Sequence, residues 1–71
     1  EGQHQNTTIF AVLLNAIGAY LTDFEKDHIL ARNYFYAAKE LFEDTESTDN
    51  KYYPYVISNI EYINKLIQDN D

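Results

Sequence analysis

The stretch IFAVLLNAIGAYL, from Ile9 to Leu21, is apolar except for Asn15 and Gly18. In a chain of 71 residues with a formal charge of -7, such a run has three possible homes: a membrane, the core of a small bundle, or one layer of a helical stack. A spanning helix needs about 20 apolar residues, and this run counts 13 before Thr22-Asp23 ends it. EGQHQNTT, just ahead of it, has no Lys or Arg, so the basic leader of a signal peptide is missing. The expectation is a helix covered by protein, with no membrane partner. Its positions Ile9, Phe10, Leu13, Leu14, Ile17 and Leu21 recur by threes and fours, the helical period. Ala11, Val12, Ala16, Ala19 and Tyr20 fill much of what should be the wet side, and a helix apolar nearly all round is a buried one.

Burying such a helix is difficult for a chain this short, which covers only about 60% of its extended surface on folding. With no cysteine, neither disulfides nor thiolate metal sites can staple it. Dense packing or association must do so instead. A hydrophobic content of 45% with 15% aromatics favours an ordered domain over a disordered chain. Twelve acidic residues against five scattered basic ones repel phosphate backbones, so no direct nucleic-acid contact is expected from this segment. The same acidity keeps a small domain in solution. A sequence that opens Glu1-Gly2 without Met reads as a processed protein, a proteolytic product or a piece of a longer one, and the lack of cysteine fits a bacterial cytosolic protein and a secreted one equally well.

Residues 1–7 read as a flexible leader and 69–71 as a tail, leaving a single helical domain at 8–68 with an acidic linker at 44–51. Helices are expected near 8–21, 24–43 and 53–68, the first capped by the hydroxyl of Thr7 or Thr8. Thr22-Asp23-Phe24-Glu25 has the form of a capping box for the second helix, and 22–26 is either a tight turn or a full helical turn. On the second helix Leu30, Tyr34, Ala37, Ala38 and Leu41 share a face, beside the stripe Ala31, Phe35, Ala38 and Phe42. On the third, Val56, Ile57, Ile60, Ile63 and Ile67 form the line, with Leu66 beside it. Pro54 suits a first helical turn and argues against a central strand. The fold class is all-α: a three-helix antiparallel bundle or a fragment of a helical-repeat domain.

Chemistry finds little to use. His4 and His28 are the only histidines, and neither has a His or Cys one turn away to share a metal. Asp44, Glu46, Thr48 and Asp49 offer oxygens, but the central glycine and final glutamate of an EF-hand loop are missing. Ser47 and Ser58 have no histidine at a useful spacing, and no glycine-rich loop could cradle phosphate. The chain is expected to be non-enzymatic, without cofactor or metal.

The aromatics carry more. Tyr34, Phe35 and Tyr36 are consecutive on one helix and cannot all enter one core. Phe35 packs inward with Ala31 and Ala38, Tyr34 lies at the core edge, and Tyr36 looks outward. Tyr52, Tyr53 and Tyr55 form a second cluster. Tyrosine combines contact area with a hydroxyl that tolerates water, so these rings either lie over a thin core or form a partner surface. Asn15, inside the apolar run, needs a hydrogen-bond partner. It sits at the rim of a helix pair, fixes register, or holds the backbone of a peptide. The candidate partner-binding residues are Phe10, Asn15, Tyr20, Tyr34, Tyr36 and Tyr53.

LLNAIGAYLTDFEKDHILARNYFYAAKELF resembles a helical hairpin of the tetratricopeptide type. Gly18 and Tyr20 supply the small residue and aromatic of its first helix, and Ala31-x3-Phe35 with Ala38 the pattern of its second. The second helix starts about a turn late and no Pro follows it. YYPYVISNIEYINKLIQ would open a following repeat, so the resemblance covers residues 13–67. Among repeat proteins, the Asn-bearing apolar helix and the aromatic second helix resemble the carboxy-terminal part of Rgg/MutR-like, peptide-responsive transcription regulators of Gram-positive bacteria. That resemblance implies a region that binds short peptides and dimerises, with a DNA-reading portion outside this sequence. It makes Asn15 a candidate for holding peptide backbone, and Tyr34 or Tyr36 for lining a groove.

The function expected is a non-enzymatic helical domain for protein or peptide interaction, as the regulatory part of a transcription regulator. The alternative is a small acidic inhibitor or immunity-type protein that blocks a partner. Two further helices cannot hide Phe10, Val12 and Tyr20 together with Leu13, Leu14, Ile17 and Leu21. A homo-oligomer, most simply a homodimer, or a protein or peptide partner along the first helix is therefore expected.

Overall fold

A computed structural model describes residues 2–70, with side chains from 7 to 69. Among these residues it shows three helices and no strand: α1 Gly2–Tyr20, α2 His28–Asp44 and α3 Tyr53–Asn70. They fold into a compact bundle. α1 begins at Gly2, so Thr7 and Thr8 lie within the helix and do not cap it, and the expected leader is helical from residue 2. The physical reason is propagation: once the following apolar turns nucleate a helix, each further residue extends it at little cost.

The connection from α1 to α2 departs from the sequence reading. Leu21–Glu25 continues α1 as a wider π turn, and the Leu21 carbonyl accepts from the amides of both Lys26 and Asp27, the latter at 3.1 Å. The buried Thr22 hydroxyl donates to the Gly18 carbonyl at 2.9 Å and is thereby satisfied within its own helix. Thr22 lies within the π turn, six residues before the start of α2 at His28, so the capping box does not form. Lys26, at φ 58°, turns the chain. Asp27 is the true N-cap, its carboxylate accepting from the Leu30 amide at 3.2 Å.

α2 ends as expected, before the polar linker. Its close is a Schellman arrangement: the Ser47 amide donates to the Phe42 carbonyl at 2.7 Å and the Glu46 amide to the Glu43 carbonyl at 3.1 Å. Glu46 takes the left-handed position at φ 55°, where glycine is usual. The Thr45 hydroxyl donates to the Leu41 carbonyl at 2.8 Å. The Asn50 side chain accepts from the Tyr52 amide at 2.8 Å, and Pro54 sits in the first turn of α3.

α2 occupies the middle. Its stripe Ala31, Phe35, Ala38 and Phe42 is buried against Val56, Ile60 and Ile63 of α3 and Ala11 of α1. Covering Phe35, Phe42, Val56 and Ile63 completely contributes about 1.5–3 kcal/mol each. The α1 side of this core corrects the expected face. Its buried positions are the small ones, Ala11 and Gly18, while Leu13 and Ile17, expected inward, face solvent. The cause is the Phe35 ring: a Cβ built on Gly18 would lie 2.6 Å from a ring carbon. Where α2 supplies the bulk, α1 must supply its absence.

Candidate functional site

With its small residues turned inward, α1 turns its large ones outward. Phe10 is 56% exposed, Leu13 53%, Ile17 42% and Tyr20 52%, with Ile9 and Ala16 beside them. Tyr20 stacks on Phe24 of the π turn at a centroid distance of 5.3 Å, and its hydroxyl donates to the Glu25 carboxylate at 3.1 Å. The window Thr7–Glu25, 19 residues at a mean hydropathy of 1.4, is long and apolar enough to cross a membrane by length and composition. Exclusion by length alone therefore fails. The helix is nevertheless folded onto α2 in a compact globule, which is consistent with no membrane partner, although only 17% of the window is buried.

Beside this face lies a shallow groove of about 260 Å3 between α1 and α2, lined by Leu14, Leu30, Asn33, Tyr34 and Ala37. A smaller one of about 80 Å3, on the side toward α3, is lined by Ala19, Thr22, Asp23, Phe35, Asn59 and Tyr62.

The six residues singled out from sequence separate into two groups. Phe10 and Tyr20 lie on the outer face of α1, and Tyr34 lines the larger groove nearby. Asn15, Tyr36 and Tyr53 bind α3 to the rest of the molecule. The half-buried Asn15 carbonyl accepts from the Asn59 amide at 2.9 Å, so this side chain bridges two helices at their rim. Tyr36 faces outward as expected, its hydroxyl accepting from Asn64 at 3.2 Å. Tyr53 is half-buried, edge-on to Phe42 at 5.9 Å, and donates to the Glu43 carboxylate at 2.7 Å. The Lys39 ammonium, 2.8 Å from Glu43, holds the Glu43 carboxyl below its ordinary value, and the Tyr53 hydroxyl reinforces this. The same contacts raise Lys39 and Tyr53.

Sequence reasoning named Leu30 only as part of an apolar face with Tyr34 and Ala37 and missed Asn33; it expected Leu13 and Ile17 to be covered by protein. The missed signal is distribution of charge: between positions 2 and 22 there is no Asp, Glu, Lys or Arg. A helix without charges has nothing that marks its wet side. Among the described residues no group of three or more His, Cys, Asp or Glu side chains could hold a metal ion. The arrangement offers apolar contact area and amides. The sequence matches no known family profile, and no curated protein or solved structure shows significant similarity to it.

Proposed function

We propose that this chain is a non-enzymatic helical interaction domain that seats a short apolar peptide segment in the groove between α1 and α2. The observation that carries the reading is the groove itself, lined by exposed Leu30, Asn33 and Ala37 and half-buried Leu14 and Tyr34. Its volume of about 260 Å3 suits one large apolar side chain or two small ones. The Asn33 amide can both donate to and accept from a peptide backbone. A net charge of -7 favours a neutral or basic peptide over an acidic one. Such a domain suits the regulatory portion of a transcription regulator, in line with the tetratricopeptide-like pattern of Ala31, Phe35 and Ala38.

The test is panning of a phage-displayed library of short peptides on the folded chain, followed by fluorescence anisotropy of the selected peptides. Binding should be lost on Leu30→Glu and weakened on Tyr34→Ala, with helical circular dichroism unchanged. Equal enrichment on the wild type and on Leu30→Glu overturns the reading. The alternative, an acidic inhibitor that covers a partner's surface, draws on the exposed rings of Tyr55 and Tyr62 on α3. Binding that survives Leu30→Glu and is abolished by Tyr55→Ala would favour it.

A further inference from the structure

The exposed residues of α1 are ordered. Phe10, Leu13, Ile17, Tyr20 and Phe24 follow one another at spacings of three, four, three and four, the repeat of a coiled-coil seam. The stacking of Tyr20 on Phe24 carries the line past the end of α1 into the π turn. At about 1.5 Å per residue the seam is roughly 20 Å long.

What flanks the seam determines what can cover it. Coiled coils place charges beside the seam to choose a partner and its direction. Here the flanks are Ile9 and Ala16, followed at the far end by Asp23, on one side and Leu14 and Leu21 on the other. All twelve acidic and five basic residues lie at position 1 or from position 23 onward. Along Phe10 to Tyr20 a charged partner helix would find nothing to pair with, so the surface complementary to that stretch must itself be apolar and uncharged. The same face on a second copy meets that description. It is also the one side of an acidic chain that does not repel its like.

We propose that α1 pairs with α1 of a second copy as an antiparallel two-fold, centred on Ile17. The direction follows from charge. A parallel pair would crowd Asp23, Glu25 and Asp27 of both copies at one end. The antiparallel pair sets each cluster against the uncharged half of the other helix, and brings Phe10 onto Phe24 and Leu13 onto Tyr20 of the second copy. The seam and its flanks offer on the order of 600 Å2 per copy, at the low end of specific interfaces, which bury about 800 Å2 per partner. A reversible dimer in the micromolar range is the result. The seam, flanks included, shares only Leu14 with the groove, and the inference does not depend on a peptide occupying that groove.

Sedimentation equilibrium of the 71-residue chain between about 1 and 100 μM tests it. The wild type should show a monomer–dimer equilibrium, and Ile17→Glu, which sets two like charges on the axis, should weaken it by roughly 100-fold or more. Leu13→Glu mixed with Tyr20→Lys should associate better than either variant alone, whereas Leu13→Glu mixed with Leu13→Lys should not. Circular dichroism confirms that each variant stays helical; should Ile17→Glu unfold, Leu13→Glu alone supplies the same test. Leu30→Glu should leave the dimer intact, so failure of the peptide reading does not count against this one. A wild type that stays monomeric at 100 μM overturns the proposal, whether or not it sediments with phosphatidylcholine vesicles. So does a dimer indifferent to Ile17→Glu and Leu13→Glu, or one in which the parallel charge pair restores association and the antiparallel pair does not.

Discussion

On α2 the residues buried against both neighbours include two large rings: Phe35 and Phe42 are covered, while Ile29, Leu30 and Tyr36 stay exposed and Lys39, Glu40 and Glu43 lie away from the core. On α1 the inward positions are Ala11 and Gly18, and Phe10, Leu13 and Ile17 point outward. Both helices are rich in apolar residues, yet they meet with opposite choices of size. Volume complementarity across the contact, and not hydrophobicity along the helix, decided which face of α1 is buried. The helix with the greater apolar content is left with the greater apolar exposure.

The sharpest way to break this comparison is to delete the same ring from each helix. Phe35→Ala should cost about 3–5 kcal/mol, because the ring is 2% exposed and its loss leaves a cavity. Phe10→Ala should cost less than about 1 kcal/mol, since over half of that ring is already in water. Urea denaturation, at concentrations too low for association, measures both; equal losses would mean that the faces of α1 are reversed. Gly18→Ala comes next. The new methyl would meet the buried Phe35 ring at 2.6 Å, and the resulting shift, about 1–3 kcal/mol, outweighs the gain of about 1 kcal/mol in helix propensity. A stabilised Gly18→Ala would show that the two helices lie farther apart.

The helix ends differ as well, α1 closing through a π turn and α2 through a Schellman cap. Glu46→Gly should stabilise the chain by about 0.5–1 kcal/mol, since glycine takes the left-handed position without strain; thermal denaturation reads the gain. The smallest effect is electrostatic and belongs to α2. The Lys39 and Tyr53 contacts lower the folded-state carboxyl value of Glu43. Their contribution is therefore complete above its ordinary value of 4.5 and fades as pH falls through the lowered one. A carboxyl-detected NMR titration should place the Glu43 midpoint below 4.5, and Tyr53→Phe should move it upward.

α2 and α3 were legible in the sequence because both are two-sided. Ala31, Phe35, Ala38 and Phe42 alternate with Arg32, Lys39 and Glu43, and Val56, Ile60 and Ile63 with Glu61 and Lys65, so period and polarity agree. α1 showed its period but not its orientation, because no charged residue marks an outside. Thr22 misled for a different reason. Its spacing to Glu25 fits a capping box, but a hydroxyl can equally bond the carbonyl four residues back, and here the buried turn leaves it that partner. Of the groove, the α2 face of Leu30, Tyr34 and Ala37 was legible; Asn33 and the pairing of that face with Leu14 were not, because a groove between two helices depends on the rotation of each.

The placement of α2 between its neighbours has a consequence for how the molecule comes apart. α2 packs along both α1 and α3, while the backbones of α1 and α3 hardly approach each other and are bridged by the Asn15–Asn59 amides. Stability is then close to a sum over two successive interfaces, as in a linear array, and one can open while the other holds. α3 can lift away as a unit and leave the α1–α2 hairpin standing, with Gly18 still against Phe35. Amide hydrogens at the middle of α2 should exchange most slowly, because their exposure requires both interfaces to open, and those of α3 should exchange sooner and together. Packing mainly between helices that follow one another in sequence also keeps loop closure short, so the chain should refold quickly, from the hairpin outward.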